Sequence, residues 1–451
     1  MDVRPRLWDH RRTVLGVAKM RRALVVATVA VVLAGCAWAR PRFDAANTGN
    51  NPFETKISAA NVAQLTREFV AASTTLDIIP KFVVARGHLY VSGSPIRTYD
   101  ASGVAGCSTA SPRLCSPQWS LDTFGEPDVI GTTLYRGLNA YDADGTINCT
   151  GAPKVCTQVW QEGVGSAPFG PTNPDALHFT GRRNVFPHNG ETLGLDAYDT
   201  PCAPAPADCP VRWSTGSNGL GGGGNGGVFD GPAVGGGRVF AAYSPVGRNA
   251  TIRAFDGTTG SAPLLWSATL DGVGGAGIAV SEGVVVMGVQ TPSGSKLEAF
   301  DAAGTVNCSG VPRRCQPLWV SDPWTGVGFE APPAIANGRV YRAVGSQLRS
   351  YDLHGSTNCS GSPKVCTPLW VAQVGAGIRS PAVASGLVYV SAADGTVQAY
   401  DAAGSTNCSA TTRVCSALWD TNVGQSVGPV EVSAGLVYLG AIDGTVRAFG
   451  L

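Results

Sequence analysis

The stretch AVASGLVYVSAADGTVQAYD, residues 382–401, reads as short apolar runs, Ala382 to Ala384, Leu387 to Ser391 and Thr396 to Tyr400, the last two parted by an Asp394-Gly395 turn. Short β-branched and aromatic runs joined by such turns predict a meander of antiparallel strands. After the meander a loop runs from Asp401 to Trp419.

The same text recurs along the chain. Trp119, Trp160, Trp213, Trp266, Trp319, Trp370 and Trp419 are spaced 41, 53, 53, 53, 51 and 49 residues apart. They follow Thr98-Tyr99-Asp100, Ala140-Tyr141-Asp142, Ala197-Tyr198-Asp199, Ala254-Phe255-Asp256, Ala299-Phe300-Asp301, Ser350-Tyr351-Asp352 and Ala399-Tyr400-Asp401. A four-stranded unit of about 50 residues repeated in this way predicts the blades of a β-propeller. Small residue, aromatic, Asp, Gly-containing turn and Trp resembles the docking phrase of pyrroloquinoline-quinone-type repeats, and the resemblance covers about residues 40 to 451. It implies that the Asp closes its turn and that the indole is buried between blades.

The chain ends supply one more blade. Val446 to Phe449 repeats a third strand, and the sequence given stops at Leu451 without a following Trp. Near the start, Asn61 to Leu65 leads to Phe69, which stands 50 residues before Trp119 without a third strand of its own. The expectation is an all-β, eight-bladed propeller of four-stranded antiparallel blades spanning residues 61–451, monomeric and closed by the N-terminal strand, with Phe69 docking in place of a Trp.

Twelve of the 13 cysteines pair inside the docking loops: Cys107 with Cys115, Cys149 with Cys156, Cys202 with Cys209, Cys308 with Cys315, Cys359 with Cys366, and Cys408 with Cys415. Neither Cys-x2-Cys spacing nor accompanying His suggests a metal, so local disulfides of an oxidising compartment are expected. The thirteenth, Cys36, ends Leu33-Ala34-Gly35-Cys36 after the apolar run Ala23 to Leu33, which is too short to span a bilayer. Residues 1–36 therefore read as a signal peptide, with Met20 an alternative start, and the ending resembles a bacterial lipobox in which Cys36 is lipidated. Residues 37–60 read as a tether between that lipid and the propeller.

Gly (59) and Pro (30) are plentiful and only 14% of residues are charged, which suits strands and tight turns rather than helices. Beyond Cys36 the chain carries 26 Lys and Arg against 30 Asp and Glu, a net of −4, which disfavours nucleic acid as a partner. Quinoprotein alcohol and sugar dehydrogenases share the repeat, and the resemblance implies that such enzymes carry an adjacent Cys-Cys disulfide, calcium ligands and a catalytic Asp. No adjacent cysteines occur here, and no calcium-ligand set or catalytic Asp matches residue by residue. Asp142-Ala143-Asp144-Gly145 lacks the closing Glu of a calcium loop, and Gly219 to Gly227 lacks the Lys-Ser/Thr of a phosphate loop. The segment Ser166 to Leu193 departs most from the repeat and carries His178, Arg182, Arg183 and His188, a candidate binding loop.

These readings predict no catalytic, cofactor or metal residues. They point to a scaffold anchored to the extracytoplasmic face of a bacterial membrane, docking an envelope protein or glycan. It is similar to the propeller lipoprotein of the machinery that assembles outer-membrane β-barrels. A quinone-dependent dehydrogenase is the second reading, and a propeller hydrolase or lyase the third.

Overall fold

The computed structural model describes residues 37–73, 78–136, 139–161, 177–185, 191–199, 211–215, 228–245, 247–259, 261–274, 277–325 and 331–451. Among these residues regular structure is β throughout, except for one 3-10 turn at Val62–Gln64, and the strands form eight sheets. The quoted stretch forms Ala382–Ala384, Leu387–Ser391 and Thr396–Asp401, and Trp419–Asn422 completes an antiparallel meander of four. Five other sheets carry the same four-strand order, and the sheet of Leu177–Val185, Glu191–Asp199 and Val211–Ser214 has three described strands.

Across the third and fourth strands of each meander the Trp faces the small residue of the docking phrase. Thr98 is the register partner of Trp119, Ala254 of Trp266, Ala299 of Trp319, Ser350 of Trp370 and Ala399 of Trp419. A small residue at that point gives the indole room to lie over the pleat. The eighth sheet combines the two ends of the chain. Val427–Ser433, Leu436–Ala441 and Thr445–Gly450 are followed in space by Thr66–Ala72, which pairs antiparallel to Thr445–Gly450 with Phe69 opposite Ala448.

Successive sheets pack through these aromatics. Trp319 stacks on Tyr351 of the next sheet with centroids 6.4 Å apart, and Trp370 stacks on Tyr400 at the same distance. Tyr341 Oη donates to the Ala402 carbonyl of the next sheet at 3.0 Å, and Tyr438 Oη, from the last sheet, donates to Ala101 of the first at 2.8 Å.

Two sequence expectations change. The segment read as a tether is packed instead: Trp38, Ala45 and Ile57 are buried, because its apolar side chains and its carbonyls both find partners on the sheets. The candidate binding loop contains a strand, since Leu177–Val185 pairs with Glu191–Asp199 and sets His178, Arg182 and Arg183 opposite Tyr198, Gly194 and Leu193. The alternation of Leu193, Leu195 and Ala197 with Gly194 and Asp196 in Glu191–Asp199 supplies that partner strand. His188, Cys202, Cys209 and Cys36 lie outside the described residues.

Candidate functional site

Each sheet has two edges, and unpaired edge groups are templates for further pairing. Among the described residues the outer edges of five sheets are covered by the docking loops. Five disulfides form among the described residues: Cys107–Cys115, Cys149–Cys156, Cys308–Cys315, Cys359–Cys366 and Cys408–Cys415. In each the two cysteines face one another across a short hairpin or bridge. The second arm then pairs in parallel with the Trp- or Phe-bearing strand of the preceding sheet. Val155–Cys156 joins Ser120–Leu121, Lys364–Cys366 joins Trp319–Ser321, and Arg113–Cys115 joins Phe69–Ala71. The disulfides therefore fasten neighbouring sheets, a role that the loop sequences alone did not disclose. The signal was present in Cys-Ser-Gly-x-Pro at Cys308 and Cys359, the text of a tight hairpin.

The docking Asp residues whose side chains are described close their turns as expected. Asp401 Oδ2 accepts from Ser405 N and Oγ and from Thr406 N at 2.6 to 2.8 Å, and Asp301 Oδ2 accepts equivalently from Thr305 and Val306. Burial opposes ionisation of these carboxyls, but the donated hydrogen bonds outweigh it and hold Asp100, Asp142, Asp301, Asp352 and Asp401 below the ordinary range. Three residues beyond the Asp stands a glycine at positive φ on which the preceding indole rests. A methyl group on Gly355 would lie 2.5 Å from Trp319, and one on Gly145 would lie 2.5 Å from Trp119. The indole N–H of Trp266, Trp319 and Trp370 donates to the carbonyls of Ala302, Leu353 and Ala402 at 2.8 to 3.2 Å. The side chains of Trp160 and Trp213 belong to strands whose side chains are not described.

The inner edges are covered by residues 38–51. Backbone N–H groups of the first strands donate in chain order to this segment: Val84 to Trp38, Val129 to Ala39, Val234 to Ala45, Val280 to Ala46, Ile335 to Thr48 and Val383 to Gly49, all at 2.7 to 2.9 Å. Asn51 Nδ2 adds a seventh sheet through the Val432 carbonyl at 2.9 Å. Arg42 and Asn47 adopt positive φ as the segment bends. Arg42 donates to the carbonyls of Pro381 and Pro333, and Asn47 Nδ2 to those of Pro232 and Ile278. Burial lowers Arg42 to about 10, with Asp44 opposing, and burial raises Asp44 against its bonds from Thr48. Sequence reasoning missed this segment because it has no strand period; Trp38 and Phe43, aromatics outside any repeat, were the available hint.

Next to the segment lies a well of about 310 Å³ lined by Trp38, Arg42, Lys81, Phe82, Glu126 and Glu431 among others. Neither it nor any other described region gathers three His, Cys, Asp or Glu side chains in a group able to hold a metal ion. The sequence has no adjacent cysteines, and Arg42 donates to carbonyls just ahead of the first strands of two sheets. The exposed candidates are elsewhere, on the hairpins. Leu114, Val365 and Val414 stand at the same position before the second cysteine, 64%, 42% and 44% exposed.

Two solved structures share this architecture at low identity. A computationally designed protein, Ika8, aligns with a TM-score of 0.53 and 13% identity over 86% of this chain and all of its own. The quinohemoprotein alcohol dehydrogenase of Comamonas testosteroni aligns at 0.54 and 14% identity over 92% of this chain and 80% of its own. BamB of Moraxella catarrhalis aligns at 0.47 and 13% identity over 86% and 98%. Identities this low speak for a β-propeller fold and no further. Among curated proteins no sequence matches. Residues 157–408, more than half of the chain, match the family described as outer membrane protein assembly factor BamB, and with its repeated docking phrase the chain belongs to that family of quinone-type repeat propellers.

Proposed function

We propose that the chain is a closed eight-bladed propeller, exported and held by a lipid on Cys36 at the extracytoplasmic face of a bacterial membrane, where it serves as a non-catalytic docking scaffold. Ring closure is supported by the pairing of Thr66–Ala72 with Thr445–Gly450, and by the Tyr438–Ala101 bond, which repeats the Tyr341–Ala402 bond of successive sheets. Export is supported by the five disulfides.

The observation that carries the non-catalytic reading is the course of residues 38–51, which engage the inner edges of seven sheets, six through backbone carbonyls and one through the Asn51 side chain. What is left for a partner is the outer rim, where Leu114, Val155, Val365 and Val414 repeat an exposed apolar point on a rigid hairpin. Such points on a stapled support suit an envelope protein, whose own apolar surface they would cover.

Photo-crosslinking from these four positions in intact cells tests the reading. Crosslinks to an envelope protein, lost when all four are replaced by Lys in a variant of unchanged melting temperature, are expected. Crosslinks that persist after those replacements, or that form only from positions away from the rim, would overturn it. Cys36→Ser should move the protein from membranes to the soluble fraction. Full membrane retention of that variant would contradict the lipid anchor.

A further inference from the structure

The disulfide hairpins are not equivalent, and the one at the junction of the chain ends departs from the rest. In the other four described, the second cysteine, Cys156, Cys315, Cys366 or Cys415, is buried within an apolar core cluster. Cys115 is partly exposed, as is its partner Cys107. In the same four the residue before the first cysteine is an asparagine whose Nδ2 donates across the neck of the hairpin. Asn148 donates to the Gln158 carbonyl, Asn307 to Pro317, Asn358 to Pro368 and Asn407 to Ala417, at 3.1 to 3.4 Å. Gly106 holds that place before Cys107: its carbonyl accepts from Ser116 N as that of Asn307 accepts from Gln316 N, but it has no side chain to donate.

We propose that Cys107–Cys115 is a thiol–disulfide exchange site for a dithiol reductant, and that its reduction loosens the strand that joins the two ends of the chain. One thiolate of the reductant attacks the Cys107 sulfur, the S–S bond breaks, and the electron pair departs on Cys115, which takes up the proton that the attacking thiol gave up. The second thiol then closes on the mixed disulfide and frees Cys107, so the protein gains two thiols and the reductant leaves as a disulfide. Exchange is faster the better the leaving sulfur carries charge, and a thiolate expelled into apolar surroundings is disfavoured. Attack on the first cysteine of the other four hairpins would expel such a buried thiolate. Here both cysteines are partly exposed, so water reaches the departing sulfur.

The consequence follows from what the hairpin covers. Its second arm, Arg113–Cys115, is the outer neighbour of Phe69–Ala71, within the strand Thr66–Ala72 that pairs on its other side with Thr445–Gly450. Cys115 is the register partner of Ala71, and Arg113 meets Glu68 of the same strand at 2.9 Å. That ion pair is partly exposed and holds little by itself. With the disulfide open the arm is no longer part of a closed loop, and ordering it against Thr66–Ala72 costs more conformational entropy.

Graded dithiothreitol on the intact disulfide-bonded chain at neutral pH, quenched by iodoacetamide and mapped by peptide mass spectrometry, tests this. Cys107 and Cys115 should be alkylated about tenfold faster than the cysteines of the other four described pairs. Hydrogen exchange of the form reduced at that pair alone should be faster in Thr66–Ala72 and unchanged in Trp319–Ser321, which the Lys364–Cys366 arm covers. Gly106→Asn, accommodated by the positive φ that Gly106 shares with Asn307 and Asn358, should slow the reduction by about threefold through the added hydrogen bond at the neck. The order of reduction in the parent stands whether or not that variant folds. Reduction of any other described pair at an equal or greater rate, unchanged exchange at Thr66–Ala72, or an unchanged rate in folded Gly106→Asn would overturn the assignment.

Discussion

Phe69 stands directly opposite Ala448, the same cross-strand relationship that joins Trp419 to Ala399 and Trp319 to Ala299, although Phe69 and Ala448 come from opposite ends of the chain. Phe69 also lies on Gly103, as Trp319 lies on Gly355. Replacing Phe69 by Ala removes a fully buried ring from the large core cluster shared by the first and last sheets, and should cost about 3–5 kcal/mol. Urea unfolding at constant m-value measures it. A cost below about 1 kcal/mol would show that the ring contributes little to joining the ends.

The glycine under each indole provides a controlled test of docking. Gly355 and Gly424 both have positive φ, but a methyl group at Gly424 meets nothing within 4 Å, whereas at Gly355 it would collide with Trp319. Both Ala substitutions incur the left-handed backbone cost of about 1–2 kcal/mol. Gly355→Ala should add an overpacking cost of about 1–3 kcal/mol. Equal melting temperatures of the two variants would contradict the packing described.

The disulfide hairpins should matter through the sheets they fasten. Replacing both Cys308 and Cys315 by Ser opens a loop of about eight residues, worth roughly 2.5 kcal/mol by chain entropy. It should also speed amide exchange at Ser267, whose strand pairs with Arg313 and Arg314 of that hairpin. Hydrogen exchange confined to the loop itself, with no change in the preceding sheet, would argue against fastening.

Acid should loosen the docking turns. Because Asp100, Asp142, Asp301, Asp352 and Asp401 are depressed, their contribution is present above the ordinary Asp value of about 3.9 and is lost as pH falls through the lower folded value. Asp401→Asn should lower the melting temperature at neutral pH and flatten its decline below pH about 4. Parallel melting curves for parent and variant across that range would be the contrary result.

Much of this was legible because the repeat is written in side chains whose roles are local. Asp401 bonds the turn that follows it, Ala399 faces Trp419 on the adjoining strand, and Cys408 meets Cys415 in one hairpin, so spacing alone exposes each. The inner-edge segment was hidden for the opposite reason. Its bonds to Val84, Val234 and Val383 are made by backbone carbonyls, which leave no trace in residue type. The inter-sheet partner of each hairpin was hidden likewise, since parallel pairing of Lys364–Cys366 with Trp319–Ser321 uses main-chain groups. His178, Arg182 and Arg183 looked like loop residues because Gly181 and the neighbouring polar positions mask the strand they share.

Titration of the purified, disulfide-intact chain with pyrroloquinoline quinone and calcium tests the central claim most directly, since the non-catalytic reading rests on residues 38–51 engaging the first strands of seven sheets. The account predicts no saturable heat and no dye reduction with alcohols or sugars. Micromolar binding accompanied by dye reduction would contradict it and make the chain a dehydrogenase.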